Sequence, residues 1–134
     1  EQEAVAVGFA TVSAEEIDAM GILHASKKAM RLAVESLSPQ PDFLIIDAIR
    51  IPQLNIPQKG IIKGDILCFS ISCASIVAKV RRDRFMVEID GQYPGYGLAE
   101  NKGYATAVHL AALEKLGASP IHRRNFSPVR AQLF

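Results

Sequence analysis

The chain has 134 residues, 49% apolar and 22% charged, which is enough for one compact core and too short for two ordinary domains. It holds no apolar run near the roughly 20 residues that span a bilayer, and its start, "EQEAVAVGF", shows neither the basic region nor the cleavage site of a signal peptide, so a soluble, cytoplasmic single domain over 1–134 is expected. Fifteen Lys and Arg nearly balance fourteen Asp and Glu, but residues 1–67 carry six against nine, a net of −3, and residues 68–134 carry nine against five, a net of +4; the second half is where a polyanion would bind.

"AVAVGFATV" alternates apolar and β-branched residues as a strand does, with Val5, Val7, Phe9 and Thr11 on one face. Ser13 and Glu16 have capping-box spacing and start a helix. Ile22, Leu23, Ser26, Met30, Ala33, Val34 and Leu37 then recur at helical spacing, up to the stop "SPQP", which predicts one long helix with room for a kink. "FLIID", Phe43 to Asp47, reads as a strand buried on both faces, with its aspartate at the carboxyl end, where open α/β sheets place ligand sites. After the proline-containing loop "IRIPQLNIPQ" comes a second short strand, "GIIKGD", that also ends in an aspartate, Asp65. Strand, helix, strand and helix indicate an α/β or α+β domain.

A helix is expected from about Leu67 to Ile89. Its small residues, Ser70, Ser72, Cys73, Ala74, Ser75 and Ala78, would let it lie close to a sheet, and it ends in the basic run "KVRRDR". Cys68 and Cys73 have no cysteine or histidine partners nearby and read as buried fillers rather than a zinc site or disulfide. "GQYPGYGLAENKGYAT" is too rich in glycine and tyrosine to be regular, Thr106 to Leu116 forms a last helix stopped by Gly117, and the chain closes with "SPIHRRNFSPV".

Two aspartates at the ends of neighbouring strands, Asp47 and Asp65, repel each other unless a cation neutralises them, and Mg²⁺ takes carboxylates, water and phosphate oxygens. The same residues also read as a cap and a turn residue, so spacing leaves both readings open. Tyr93, Tyr96 and Tyr104, beside Lys102, could stack on a sugar or base, or simply pack their loop. Arg123 and Arg124, with His122, suit phosphate oxygens. His24 and His109 fall on predicted helices as structural or exposed residues, and Asp83 is expected to pair with neighbouring arginines.

Together, "FLIIDA", "IIKGD", "SISCASIVAKVRRDRFM", "YPGYGLAENKGYAT" and "SPIHRRNFSPV" stand in the order and at the spacing of ribonuclease HII, the type 2 ribonuclease H family, which the chain resembles along essentially its whole length. The resemblance implies an α/β fold: an RNase H-like mixed sheet flanked by helices, with a helical C-terminal portion. It implies a metal-dependent endoribonuclease that cuts the RNA strand of RNA/DNA hybrids and nicks duplex DNA 5′ of an embedded ribonucleotide, with Mg²⁺ or Mn²⁺ as cofactor. Asp47 and Asp65 match the third and fourth of the family's metal carboxylates, and Tyr104 matches the tyrosine that packs on the sugar beside the RNA–DNA junction. Lys102, Arg123 and Arg124 would then contact phosphates.

The sequence departs from the family in one respect. The Asp-Glu-Ala-Gly-Arg-Gly motif, which carries the other two metal carboxylates, occurs nowhere in it. The chain therefore reads as the later two-thirds of the family's domain, lacking the first strands. By itself it is expected to be inactive, with uncovered apolar surface that would favour self-association. The alternatives are a non-catalytic fragment that binds hybrids through the basic half, and a bare packing fragment.

Overall fold

The structure, a computed structural model, describes residues 3–130. These form an α/β fold with a two-stranded parallel sheet and seven helices: α1 (Ala14–Met20), α2 (Ile22–Glu35), β1 (Leu44–Asp47), β2 (Gln58–Ile61), α3 (Gly64–Leu67), α4 (Phe69–Gln92), α5 (Leu98–Asn101), α6 (Ala107–Leu116) and α7 (Ser127–Arg130). No helix among the described residues is long and apolar enough to cross a membrane. The chain divides into two compact units. The first comprises Glu1–Val12 and Ile22–Lys79, the second Ser13–Gly21 and Val80–Phe134.

In the first unit β1 and β2 pair in register from Leu44 opposite Gln58 to Asp47 opposite Ile61. A parallel pair ordinarily needs a crossover of a dozen residues or more, usually a helix. Here the connection is short and irregular, and the Gln58 side chain organises it. The Gln58 amide oxygen accepts from Ile51 N–H at 2.7 Å, its nitrogen donates to the Ile51 carbonyl at 2.9 Å, and the Arg50 guanidinium donates to the Gln58 carbonyl at 3.1 Å. Ile51, whose backbone these bonds hold, is buried.

Several expectations change here. Residues 4–12 are not a strand: the segment lies along α2, where a Cβ at Gly8 would collide with the Ala33 carbonyl and Ser36 Oγ, so its backbone is taken up by helix packing rather than by a ladder. The predicted long helix is two, because Gly21, at φ 80°, ψ 155°, ends α1. The capping box forms as expected, with Ser13 Oγ accepting from Glu16 N–H at 3.1 Å and Glu16 Oε2 accepting from Ser13 N–H at 3.1 Å. β1 is buried on one face only: Leu44 is covered while Phe43 and Ile45 are exposed. The small residues Ser70, Cys73, Ala74, Ser75 and Ala78 of α4 are likewise exposed, so Cys73 is not a buried filler, and Cys68 is half-buried; both are free thiols. The two-stranded sheet is too narrow to cover that face of α4.

The second unit holds the core. Ile89 from α4, Tyr96, Leu98 from α5, Leu113 from α6 and Val129 from α7 form one buried cluster, flanked by Met86, Tyr93 and Ile121. α6 begins and ends where the sequence indicates, with Thr106 Oγ1 accepting from His109 N–H at 3.2 Å and Gly117 at φ 75° closing the C-terminus. The glycine- and tyrosine-rich stretch contains a one-turn helix, α5, and its Tyr96 is a core residue rather than a stacking surface. The Tyr96 hydroxyl donates to the Gly117 carbonyl at 2.9 Å, which satisfies the polar end of a buried ring.

Candidate active site

Asp47 is the last residue of β1, as expected. The chain leaves the strand through Ala48, at φ 57°, with Ile49 N–H donating to the Asp47 carbonyl at 2.7 Å in a three-residue turn. The chain after β2 makes a matching bend: Lys63 also has φ 57° and precedes Gly64. Each left-handed non-glycine residue costs about 1–2 kcal/mol, and strain of this sort gathers where surrounding structure fixes a working geometry. Gly64 N–H donates to Asp47 Oδ1 at 2.8 Å. A Cβ on Gly64 would stand 2.6 Å from Ile71 Cδ1, which would have to move aside, and 3.4 Å from Asp47 Cα, an ordinary contact, so glycine lets the exit of the second strand and α4 pack closely here.

Asp65 therefore does not end a strand. β2 stops at Ile61, and Asp65 lies in the first turn of α3, one residue beyond the amide that binds Asp47. The bend at Lys63 ends the ladder, and Gly64 brings Asp65 to the Asp47 end of the sheet by another route. Two carboxylates so placed have the hard oxygen donors that Mg²⁺ and Mn²⁺ take. Their number falls short of a coordination set, since no group of three or more His, Cys, Asp or Glu suited to a metal occurs among the described residues.

The second unit carries the other candidates. Lys102 (φ 53°) and Gly103 (φ 75°) are successive left-handed residues, held by Asn101, whose Nδ2 donates to the Tyr96 carbonyl at 2.7 Å and whose Oδ1 accepts from Gly103 N–H at 2.7 Å. The Lys102 ammonium is folded back onto the Ala99 carbonyl of its own turn. Tyr104 is 55% exposed, with the Arg82 guanidinium 5.1 Å from its ring centroid in a cation–π contact. Arg82 Nη1 is 3.9 Å from Asp83 Oδ1, the pairing expected of Asp83.

Arg123 lies over the Phe126 ring at 4.8 Å, and Arg124 is exposed. The backbone between them and Asn125 is bound to α1: Asp18 Oδ2 accepts from Arg124 N–H at 2.6 Å, Oδ1 accepts from Asn125 N–H at 3.0 Å, and the Asp18 carbonyl accepts from Asn125 Nδ2 at 2.9 Å. Sequence reasoning missed Asp18, which reads as an ordinary acidic residue of a helix. It also missed Asn101, hidden in a loop. His122, expected beside the phosphate-binding arginines, instead stacks on His109 with centroids 5.4 Å apart and lies 4.8 Å from the Tyr96 ring. Burial, and then the neighbouring His109, hold the His122 imidazole below its usual value. His109 itself is buried, as a structural histidine should be.

The profile of the family described as ribonuclease HII matches residues 1–129. A ribonuclease HII from Dehalococcoides mccartyi is 54% identical over 130 residues, covering 97% of this chain and 61% of that protein. One from Desulfitobacterium hafniense is 58% identical over 130 residues, covering 96% of this chain and 50% of its own length. The chain thus spans about half to three-fifths of the length of these curated relatives. The crystal structure of ribonuclease H2 from Pyrococcus horikoshii OT3 superposes with a TM-score of 0.71 over 90% of this chain and 64% of that one, at 22% identity, a likeness of fold. With a family profile matched over nearly every residue and more than half of the residues shared with relatives, the chain belongs to the ribonuclease HII family.

Proposed function

We propose that the protein carries part of a metal-dependent ribonuclease H active site that cuts the RNA strand of RNA/DNA hybrids and nicks duplex DNA 5′ of an embedded ribonucleotide. The observation that carries this reading is the approach of β1 and α3, in which the Asp47 carboxylate accepts from the Gly64 N–H, next to Asp65, at 2.8 Å. Asp47 and Asp65 would hold Mg²⁺ or Mn²⁺, which supplies charge stabilisation and an activated water. Tyr104, in cation–π contact with Arg82, would pack on the sugar at the junction, where a 2′-hydroxyl marks RNA. Arg123 and Arg124 would bind phosphates, and Lys102 would join them by exchanging its bond to Ala99 for one to a phosphate. A cytoplasmic location, the two units serving as one domain, and self-association through the exposed apolar side chains of the first unit belong to the same reading.

Two carboxylates are too few for two-ion hydrolysis, so the 134 residues alone are expected to be inactive. The deciding measurement is cleavage of a labelled duplex with one ribonucleotide, with and without Mg²⁺, by this chain and by the chain extended with a segment bearing the Asp-Glu-Ala-Gly-Arg-Gly motif. Cleavage by the extended chain only, abolished by Asp47→Asn, is the expected result. Cleavage by the 134 residues alone would overturn the ligand assignment. The shortage of metal ligands favours a second reading, a hybrid-binding fragment without catalysis, if both chains bind hybrids without metal, salt-sensitively, and neither cuts.

A further inference from the structure

We infer that Asp18 is a positioning residue for nucleic-acid binding, holding the Arg123–Arg124 turn in the conformation that meets phosphate; this rests on the phosphate-binding reading of those arginines. Both oxygens of one carboxylate are committed to two successive backbone N–H groups, of Arg124 and Asn125, and the Asp18 carbonyl takes the Asn125 side chain. Successive N–H groups aimed to one side make an anion-binding concavity, and charge-assisted bonds to a carboxylate are stronger than neutral ones. The anchor is itself held, because α1 is closed at its N-terminus by the Ser13–Glu16 capping box. The turn continues into α7 through Phe126 N–H to the Arg123 carbonyl at 3.2 Å and Val129 N–H to the Phe126 carbonyl at 2.9 Å. Arg123 and Arg124 thus sit on a backbone pinned on one side by Asp18 and on the other by the start of a helix.

The inference makes a prediction of definite sign. Asp18 is negative and lies next to two arginines, so Coulomb attraction alone says that removing its charge strengthens binding to a polyanion. Positioning says the opposite. An asparagine has one acceptor oxygen, and its NH₂ would face a backbone N–H, so the clamp loses at least one bond.

The test is the affinity of the full chain for a labelled RNA/DNA hybrid without metal, across a salt series, for the wild type, Asp18→Asn, Arg123→Ala/Arg124→Ala and the triple variant. Positioning predicts that Asp18→Asn binds about tenfold more weakly, the effect of losing one charge-assisted bond. The salt slope should be shallower by about one, a lost phosphate contact, and both effects should vanish in the background that lacks the arginines. Unchanged or tighter binding by Asp18→Asn overturns the inference. If the arginine variant binds as the wild type does, the phosphate reading itself fails and the inference with it. Should Asp18→Asn fail to fold by circular dichroism, Asn125→Ala removes only the third bond and alters no charge. A loss of about threefold that disappears without the arginines supports positioning, and no loss overturns it.

Discussion

In the second unit, side chains from four helices and a loop meet in one buried cluster around Leu98 and Leu113, exposed by 1% and 2%. In the other unit the buried apolar side chains, Ala25, Leu44, Ile51 and Ile71, are spread over α2, β1, the crossover and α4, while Ile62, Ile66, Leu67 and Phe69 stand in solvent around Asp65. The second unit is held by apolar burial. The first relies on directed polar contacts: the Gln58 amide across the crossover and the Asp47 carboxylate across the strand exits. The proposed metal ligands therefore lie where packing is thinnest, and the proposed nucleic-acid contacts lie where it is densest.

The sharpest way to break this comparison is truncation of one leucine in each unit. Leu113→Ala removes a fully buried side chain and should cost about 2–5 kcal/mol. Leu67→Ala, at a position 73% exposed, should stay within about 0.5 kcal/mol. Denaturant midpoints of the two variants decide it. If Leu67→Ala cost as much as Leu113→Ala, the exposed apolar side chains of the first unit would be buried in solution by self-association, and the contrast would be one of assembly rather than of fold.

Next in size is Gly64→Ala. The added methyl meets Ile71 Cδ1, the tip of a buried side chain that must shift to admit it, so overpacking should cost about 1–3 kcal/mol. Ile71→Val deletes the methyl group that is struck. In the double variant the cost should fall below the sum of the two single changes, a coupling of about 0.5–3 kcal/mol. Additive effects would mean that the added methyl is accommodated without displacing Ile71, and the close approach at Gly64 would not be what fixes this joint of the first unit.

The contrast also explains what the sequence could disclose. Wherever one element's own pattern decides, the reading held: the Ser13 and Glu16 capping box, the Thr106 to Gly117 limits of α6, and β1 ending in Asp47. Pattern alone also singles out Asp65 and Tyr104 as candidates, with plain structural readings beside them, and the family likeness supplies the roles proposed for them. Where a partner decides, local pattern misled. The alternation in residues 4–12 is that of a strand, but the segment lies along α2 and pairs with no described strand. The small residues of α4 suit a sheet that this two-stranded ladder is too narrow to provide. Asp18 and Gln58 were invisible for a related reason: each works through backbone groups of a segment distant in sequence or looped back upon it, and no spacing rule records such a contact.

The smallest expected effect tests the dense unit by pH. His122 is held below its ordinary value of 6.5, mainly because burial disfavours the imidazolium and then because His109 stacks upon it. Tyr96 flanks the ring, and Ser119 bonds its Nδ1, the hydroxyl at 2.8 Å and the N–H at 3.2 Å; the Ser119 backbone bond acts in the raising direction but is outweighed by burial and His109, and no carboxylate is among these contacts. The unfolded chain therefore takes up a proton first as the pH falls. The contribution of neutral His122 is fully present above 6.5 and is lost as the pH drops from there toward the folded value. Urea midpoints should decline below that point in the wild type and decline less in His122→Gln. Because the ring is only partly buried, the difference should be modest and confined to that window. Equal declines would mean that protonated His122 is accommodated, by rotation of the ring toward water, in the very unit whose packing is supposed to forbid it.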